Sequence, residues 1–381
     1  LMKVVKARRV WIFILPAAGF FVFFGFGSSK FFKPLEYVKN QAGLVSGAEE
    51  KNPPLHIKTP ASVKAIYMTS WVAGTKNWRD GLVKMVNDTE LNAIVIDVKD
   101  YTGRISFLVS DPVLKEIGAE EERIPDIKDF INELHQKNIY IIARISVFQD
   151  PFLVKKRPDL AVKRGDGGVW KDRKGIPWLD PASREVWDYT IRIAKEAEKV
   201  GFDELNFDYV RFPSDGNMRD IKYDFWDEKT PRAEIIRDFF SYLSSGLNPK
   251  EVPLSVDLFG LTTWNYDDLN IGQIMEYAEP YFDYISPMVY PSHYPATFNG
   301  FKNPAEHPYE IILQAMSRAS ERLLAASSTP QKLRPWLQDF DLGADYTAEM
   351  VRKQKQAVYD AGLTSWMLWD AANEYTRGAL D

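Results

Sequence analysis

The chain has 381 residues, 45% hydrophobic and 27% charged with a net charge of -5, which provides for a full core and excludes both a largely disordered chain and a basic nucleic-acid-binding surface. No cysteine is present, which excludes disulfides, thiol catalysis, cysteine metal sites and a cysteine-linked lipid anchor. The four histidines, His56, His135, His293 and His307, have no metal-ligand spacing, so no metal is expected, and no organic cofactor is implied either.

In chain order, residues 1–29 come first. Lys3, Lys6, Arg8 and Arg9 precede an apolar run over residues 10–27, the pattern of a signal anchor or signal peptide. No clear cleavage site follows, so an uncleaved single-pass membrane helix is the expected form, with secretion the outcome if the segment is removed. The positive-inside rule then places everything after Ser28 outside the cytoplasm. Residues 30–60 carry Pro34, Pro53, Pro54 and Pro60 without a sustained apolar period and read as a linker.

From residue 61 to 381 short β-rich runs alternate with helical patterns. Strands are expected over residues 63–71, 92–100, 139–148, 203–211, 254–259, 284–290, 333–338 and 364–370. Helices are expected over residues 78–88, 127–137, 183–200, 233–245, 271–277, 309–324 and 348–361. Such alternation implies right-handed crossovers and a parallel sheet, and eight units predict a (β/α)8 TIM barrel. An open doubly wound sheet would announce itself by a glycine-rich first turn, and Ser70 to Thr75 is not one. Two long excursions, 149–181 and 213–231, follow strands that open on the catalytic face and should wall a cleft.

Charged residues interrupt the apolar alternation. In the second strand Ile94, Ile96 and Val98 should face the outer helices, which turns Asp97 and Lys99 toward the barrel axis. By the same rule Asn206, Asp208 and Val210 face inward from the fourth strand, and Ser255 and Asp257 from the fifth. Three carboxylates, Asp97, Asp208 and Asp257, thus approach one rim, where their repulsion should raise at least one pKa. A structural ion-pair network with Lys99, Arg144 and Arg211 is the competing account. Tyr290 and Trp369 project inward beside them, with Met288 and Met367. The first excursion adds Trp170 and Trp178 among Lys163, Arg164, Lys171, Arg173 and Lys174. Trp170 is expected to touch a polymer bearing acidic groups.

At this point the sequence resembles a bacterial glycosyl hydrolase domain family of TIM-barrel type. The likeness rests on G-F-D-E-L-N-F-D-Y-V-R-F-P at residues 201–213, A-I-Y-M-T at 65–69, I-D-V-K-D at 96–100 and S-P-M-V-Y-P at 286–291. It spans about residues 63–373. A more distant likeness is to chitinase-type barrels, in which Asp203, Asp208, Met288, Tyr290 and Trp369 fit the pattern. That pattern's catalytic Glu is here Val210, and Asn206 stands for its middle Asp. The resemblance implies hydrolysis of O-glycosidic bonds in an extracytoplasmic or cell-wall polysaccharide. The proton donor must then come from another strand: Asp208 would serve as nucleophile or electrostatic stabiliser and Asp257 as general acid/base. Asp97, Arg144, Arg211, Tyr290, Trp369 and Trp170 would bind or orient substrate. The alternatives are a polysaccharide-binding barrel without catalysis and a metal-dependent hydrolase on the same fold. The expected partners are a polysaccharide and, through the first segment, the membrane.

Overall fold

Eight short runs in which apolar side chains alternate across the backbone pair into one closed sheet. A computed structural model of the protein describes residues 56–247 and 251–380. The strands are β1 (Lys64–Met68), β2 (Ala93–Lys99), β3 (Tyr140–Ser146), β4 (Glu204–Asp208), β5 (Leu254–Phe259), β6 (Tyr284–Met288), β7 (Trp336–Gln338) and β8 (Trp366–Trp369). Each pairs in parallel with its sequence neighbour, and β8 closes on β1. All eight fall within the ranges expected from periodicity. The expected transmembrane segment and linker, residues 1–29 and most of 30–60, lie outside the described residues. Among those described no helix is long and apolar enough to cross a membrane.

Among the described residues six long helices cover the barrel: α1 (Lys76–Asn87), α2 (Ile127–Gln136), α3 (Arg184–Val200), α4 (Arg232–Gly246), α5 (Pro308–Ala325) and α6 (Ala348–Asp360). Their registry follows from apolar spacing. In α3, Val186, Ile193, Ala197 and Val200 share one buried face, and Gly201 ends the helix at φ 113°, a left-handed value that glycine adopts without strain. The helix expected over 271–277 shrinks to Met275–Ala278 and a 3-10 turn, Glu279–Tyr281. Leu269, Asn270 and Gly272 hold positive φ before it, so no helix can propagate through that stretch.

Strand alternation produces two cores. Ile66, Ile94, Ile96, Val98, Ile141, Ile145, Leu205, Phe207, Val256 and Leu368 pack outward against the helices. Ala65, Tyr67, Ala93, Val95, Tyr140, Ile142, Trp336 and Met367 fill the barrel. The N-terminal end of the barrel is closed by a buried ion pair, Arg334 to Glu204 at 2.8 Å. The Tyr140 hydroxyl donates to the same carboxylate at 3.1 Å, and Arg334 lies 3.8 Å from the Tyr284 ring centroid.

The two long excursions meet each other. Lys163–Arg164 and Ile221–Lys222 form a two-stranded antiparallel sheet that joins the loop after β3 to the loop after β4. Trp170 seals the junction. It is 1% exposed, and its indole nitrogen donates to the Asn217 carbonyl at 3.0 Å. Its ring fills the space a side chain at Gly216 would need, since a Cβ there would lie 2.7 Å from the ring. The expectation that Trp170 presents its face to a polymer is therefore corrected. It is a packing residue, buried with Leu160, Val162, Trp178, Leu179 and Tyr223 where the two loops join.

Candidate active site

At the C-terminal ends of β2 to β5 the inward-facing residues are polar. The register places Asp97 beside Arg144, Arg144 beside Asn206, and Asn206 beside Ser255. Arg144 is the hub. One terminal nitrogen donates to Asp97 Oδ1 at 2.7 Å, the other donates to Asp208 Oδ2, and Nε lies 3.8 Å from Asp257 Oδ2. Asp97, Asp208 and Asp257 are 2%, 5% and 1% exposed, so the guanidinium is the compensation that makes their burial tolerable. Asp97 also accepts from the Tyr67 hydroxyl. Burial still pushes its pKa up, while Arg144 and Tyr67 act in the opposite direction.

Asp208 and Asp257 sit on neighbouring strands in different environments. Asp208 is ion-paired to Arg144, and its other oxygen accepts from the Tyr209 backbone N–H at 2.6 Å. Asp257 has no ion pair of comparable quality. Its Oδ1 accepts from Trp336 Nε1 at 2.8 Å and from Asn206 Nδ2 at 2.9 Å. Burial first, and the nearby Asp208 second, raise its pKa to about 8 despite those donors and Arg144. At neutral pH Asp257 therefore holds a proton it can donate. A protonated carboxyl next to an ion-paired one is the division of labour that acid and nucleophile require.

Aromatic rings close the constellation. Trp369 stacks on Tyr67 at 4.0 Å and 18° and meets Trp336 edge-on at 5.5 Å, while its own face lies 5.0 Å from the Arg144 guanidinium. Tyr290 stands in the same inner cluster, its ring edge-on to Phe340 at 5.5 Å. Burial and the charges of Asp257 and Asp208 hold its phenol well above the usual range, so it is a donor, and among the described residues its hydroxyl has no hydrogen-bond partner. Tyr209, Phe259, Met288, Phe340 and Trp369 are half-buried at, or just beyond, the C-terminal ends of β4 to β8.

Asp97, Asp208, Asp257, Tyr290 and Trp369 thus come together as the alternation predicts, with Arg144, one of the partners named in the competing ion-pair account, among the three carboxylates. Arg211 lies outside the Arg144 cluster, against Trp178 and Phe259. Lys99 does not face the axis. A bulge between Asp97 and Lys99 turns it away, and its ammonium pairs with buried Asp150 at 2.7 Å. Val210 does not face inward either. Tyr209 takes φ 54°, which ends the alternation after Asp208, and Val210 packs in the outer core. Two residues of the site, Tyr67 and Trp336, were passed over in the sequence, though the rule that finds Asp97 also turns them inward once Ile66 and Leu337 are placed outward.

The chain is similar in sequence and structure to a hypothetical protein from Ruminiclostridium thermocellum, with 37% identity over 50% of this chain and 96% of the other and a TM-score of 0.47. It is similar in fold to the glycoside hydrolase domain of PgaB (BpsB) from Bordetella bronchiseptica, with 12% identity, 82% and 94% of the two chains covered and a TM-score of 0.58. A chitinase from Chromobacterium violaceum matches with 12% identity over 84% and 96% of the two chains and a TM-score of 0.50. No curated protein sequence matches the chain. Residues 65–375, from the second residue of β1 to beyond the end of β8, match the family described as "Putative glycosyl hydrolase domain", and the chain belongs to that family.

Proposed function

We propose that the protein is a glycoside hydrolase that cleaves O-glycosidic bonds of a polysaccharide outside the cytoplasm, where the basic and apolar residues 1–29 would deliver and hold it. The observation that carries the reading is the pair Asp208 and Asp257, one ion-paired and one protonated, on adjacent strands at the rim of the barrel. Asp257 donates its proton to the glycosidic oxygen as the bond to the anomeric carbon breaks. Asp208 attacks that carbon from the opposite side and forms a glycosyl ester. Asp257, now ionised, takes a proton from water, which hydrolyses the ester and restores both groups. Adjacent parallel strands lie about 4.8 Å apart, close to the roughly 5–5.5 Å carboxyl separation of retaining enzymes. Net retention is the expected outcome.

Arg144 holds the nucleophile and Asp97 in place, Trp369 and Tyr290 receive the sugar ring, and the Tyr290 hydroxyl is free to donate to it. The place a divalent cation would take among the three carboxylates is filled by the Arg144 guanidinium, which weighs against a metal-held water at this spot. The test is turnover of a glycan panel by Asp208→Asn and Asp257→Asn, each expected to lose activity and the double variant little worse than either, because the two act as one unit. Azide added to the nucleophile variant should yield a glycosyl azide of inverted configuration. Added to the acid/base variant it should yield one of retained configuration. Undiminished cleavage by both single variants would place the chemistry elsewhere.

A further inference from the structure

Outside the Arg144 cluster a second buried arginine has no acid of its own. Arg211 is 7% exposed, yet among the described residues no carboxylate lies within 4.0 Å of its guanidinium. Its Nη1 donates to the Phe212 carbonyl at 3.1 Å and to Ser214 Oγ at 3.2 Å, while Nε and Nη2 have no hydrogen-bond partner among the described residues and are not sealed from solvent. The guanidinium carbon lies 4.6 Å from the Trp178 ring centroid, 4.8 Å from that of Phe259 and 5.6 Å from that of Tyr209. Two of those rings, Tyr209 and Phe259, are half-buried; Tyr209 directly follows Asp208 at the end of β4, and Phe259 is the last residue of β5, two beyond Asp257.

This arrangement is costly without a ligand. A buried cation lacking a counter-ion loses hydration that ring faces only partly replace. The cost is visible in the direction of its pKa, which burial lowers even though Asp208, Asp215 and Asp172 attract a proton from a distance. The ring contacts hold the guanidinium plane, and the two bonds from Nη1 fix one corner. What remains free is the Nε–Nη2 edge, a pair of parallel N–H vectors that matches the two oxygens of a carboxylate.

We propose that Arg211 forms a subsite for a carboxylate on the glycan, so that the polysaccharide cleaved at Asp208 and Asp257 is built from acidic sugars. The inference rests on the glycosidase reading for its substrate but not for its binding chemistry. The carboxylate would complete the charge balance that the fold leaves open at Arg211. Its sugar would lie against Phe259 and Tyr209, within one residue of the reacting bond.

The experiment uses the full-length protein and two sets of probes. The first is a series of polyuronates (polyglucuronate, polygalacturonate, alginate and hyaluronan) with their carboxyl-reduced neutral counterparts, assayed for cleavage. The second is glucuronate and galacturonate against glucose and galactose, titrated while the Arg211 Nε–H resonance and tryptophan fluorescence are followed. At least one polyuronate should be cleaved in preference to its reduced form, on the order of 100-fold in kcat/KM. Arg211→Gln should abolish that preference chiefly through KM, and Arg211→Lys should restore part of it. A merely structural arginine would lower activity on both members of a pair alike, which would overturn the proposal. Cleavage of neutral polymers with no preference for acid would also overturn it while leaving the glycosidase intact. Uronate binding lost in Arg211→Gln, without turnover of any polymer, would uphold the subsite and refute the glycosidase. No binding and no charge preference would refute the subsite.

Discussion

Asp257 links the proposed chemistry to stability, and Asp257→Asn separates the two. In the folded protein its carboxyl keeps its proton up to about pH 8, whereas in the unfolded chain it ionises near its ordinary value of 3.8. Between those values the folded state binds more protons than the unfolded one, so stability falls as pH rises, by about 1.4 kcal/mol per unit. At pH 7 the accumulated cost is about 4 kcal/mol as an upper figure. Asparagine keeps the shape and an acceptor for Trp336 Nε1 but never ionises. The variant should therefore match the parent near pH 4, exceed it by a margin that widens up to about pH 8, and gain no more above that. With about 2.1 cal/mol/K per residue over roughly 320 ordered residues, 4 kcal/mol corresponds to a rise in Tm of about 6 °C. Urea titrations and thermal melts at pH 4.5, 7 and 8.5 measure it without any substrate. A margin that does not change with pH, or an asparagine variant less stable than the parent at pH 7, would refute the buried protonated acid.

Three further perturbations follow from the same contacts. Arg144→Met should cost about 3–5 kcal/mol at pH 8 and less at pH 5 in urea unfolding, because the carboxylates it leaves behind can take up protons in acid. Trp170→Ala should lower stability by about 3 kcal/mol or more and open the segment 149–181 to proteolysis, since the ring is buried where the two loops join. Removal of residues 1–55 should leave the melting temperature of the barrel intact. Removal up to residue 60 should lower it, because the Ile57 N–H donates to Asp203 Oδ1 at 2.8 Å and Thr59 Oγ1 bonds the Tyr140 hydroxyl at 3.0 Å.

The barrel was legible because each strand repeats one physical signal. In β2 three consecutive alternate positions, Ile94, Ile96 and Val98, are apolar, and all three pack outward. The helices were legible for the same reason, except where local backbone preference overrode periodicity, as at Gly272 within the stretch 271–277. The pairing of Lys163–Arg164 with Ile221–Lys222 was not legible. Two-residue strands carry no period, and their partners lie in separate loops.

The site divides along the same line. Alternation was enough to aim Asp97, Asp208 and Asp257 at one another, since each lies within a regular strand. It could not say which cation answers them, because Lys99, Arg144 and Arg211 look equivalent as charges. The structure separates them by backbone irregularities only one or two residues long. The bulge after Asp97 sends Lys99 to Asp150, and the left-handed turn at Tyr209 carries Arg211 past the axis to the rim. Only Arg144, in an unbroken stretch of β3, stays where alternation puts it. Both irregularities follow directly on a carboxylate of the site. The same turn explains why the chitinase-type acid has no counterpart here: position 210 lies beyond it, in the outer core, so a glutamate there could not reach the axis. The proton donor had to come from a strand whose regular stretch reaches the rim, and β5 supplies it through Asp257.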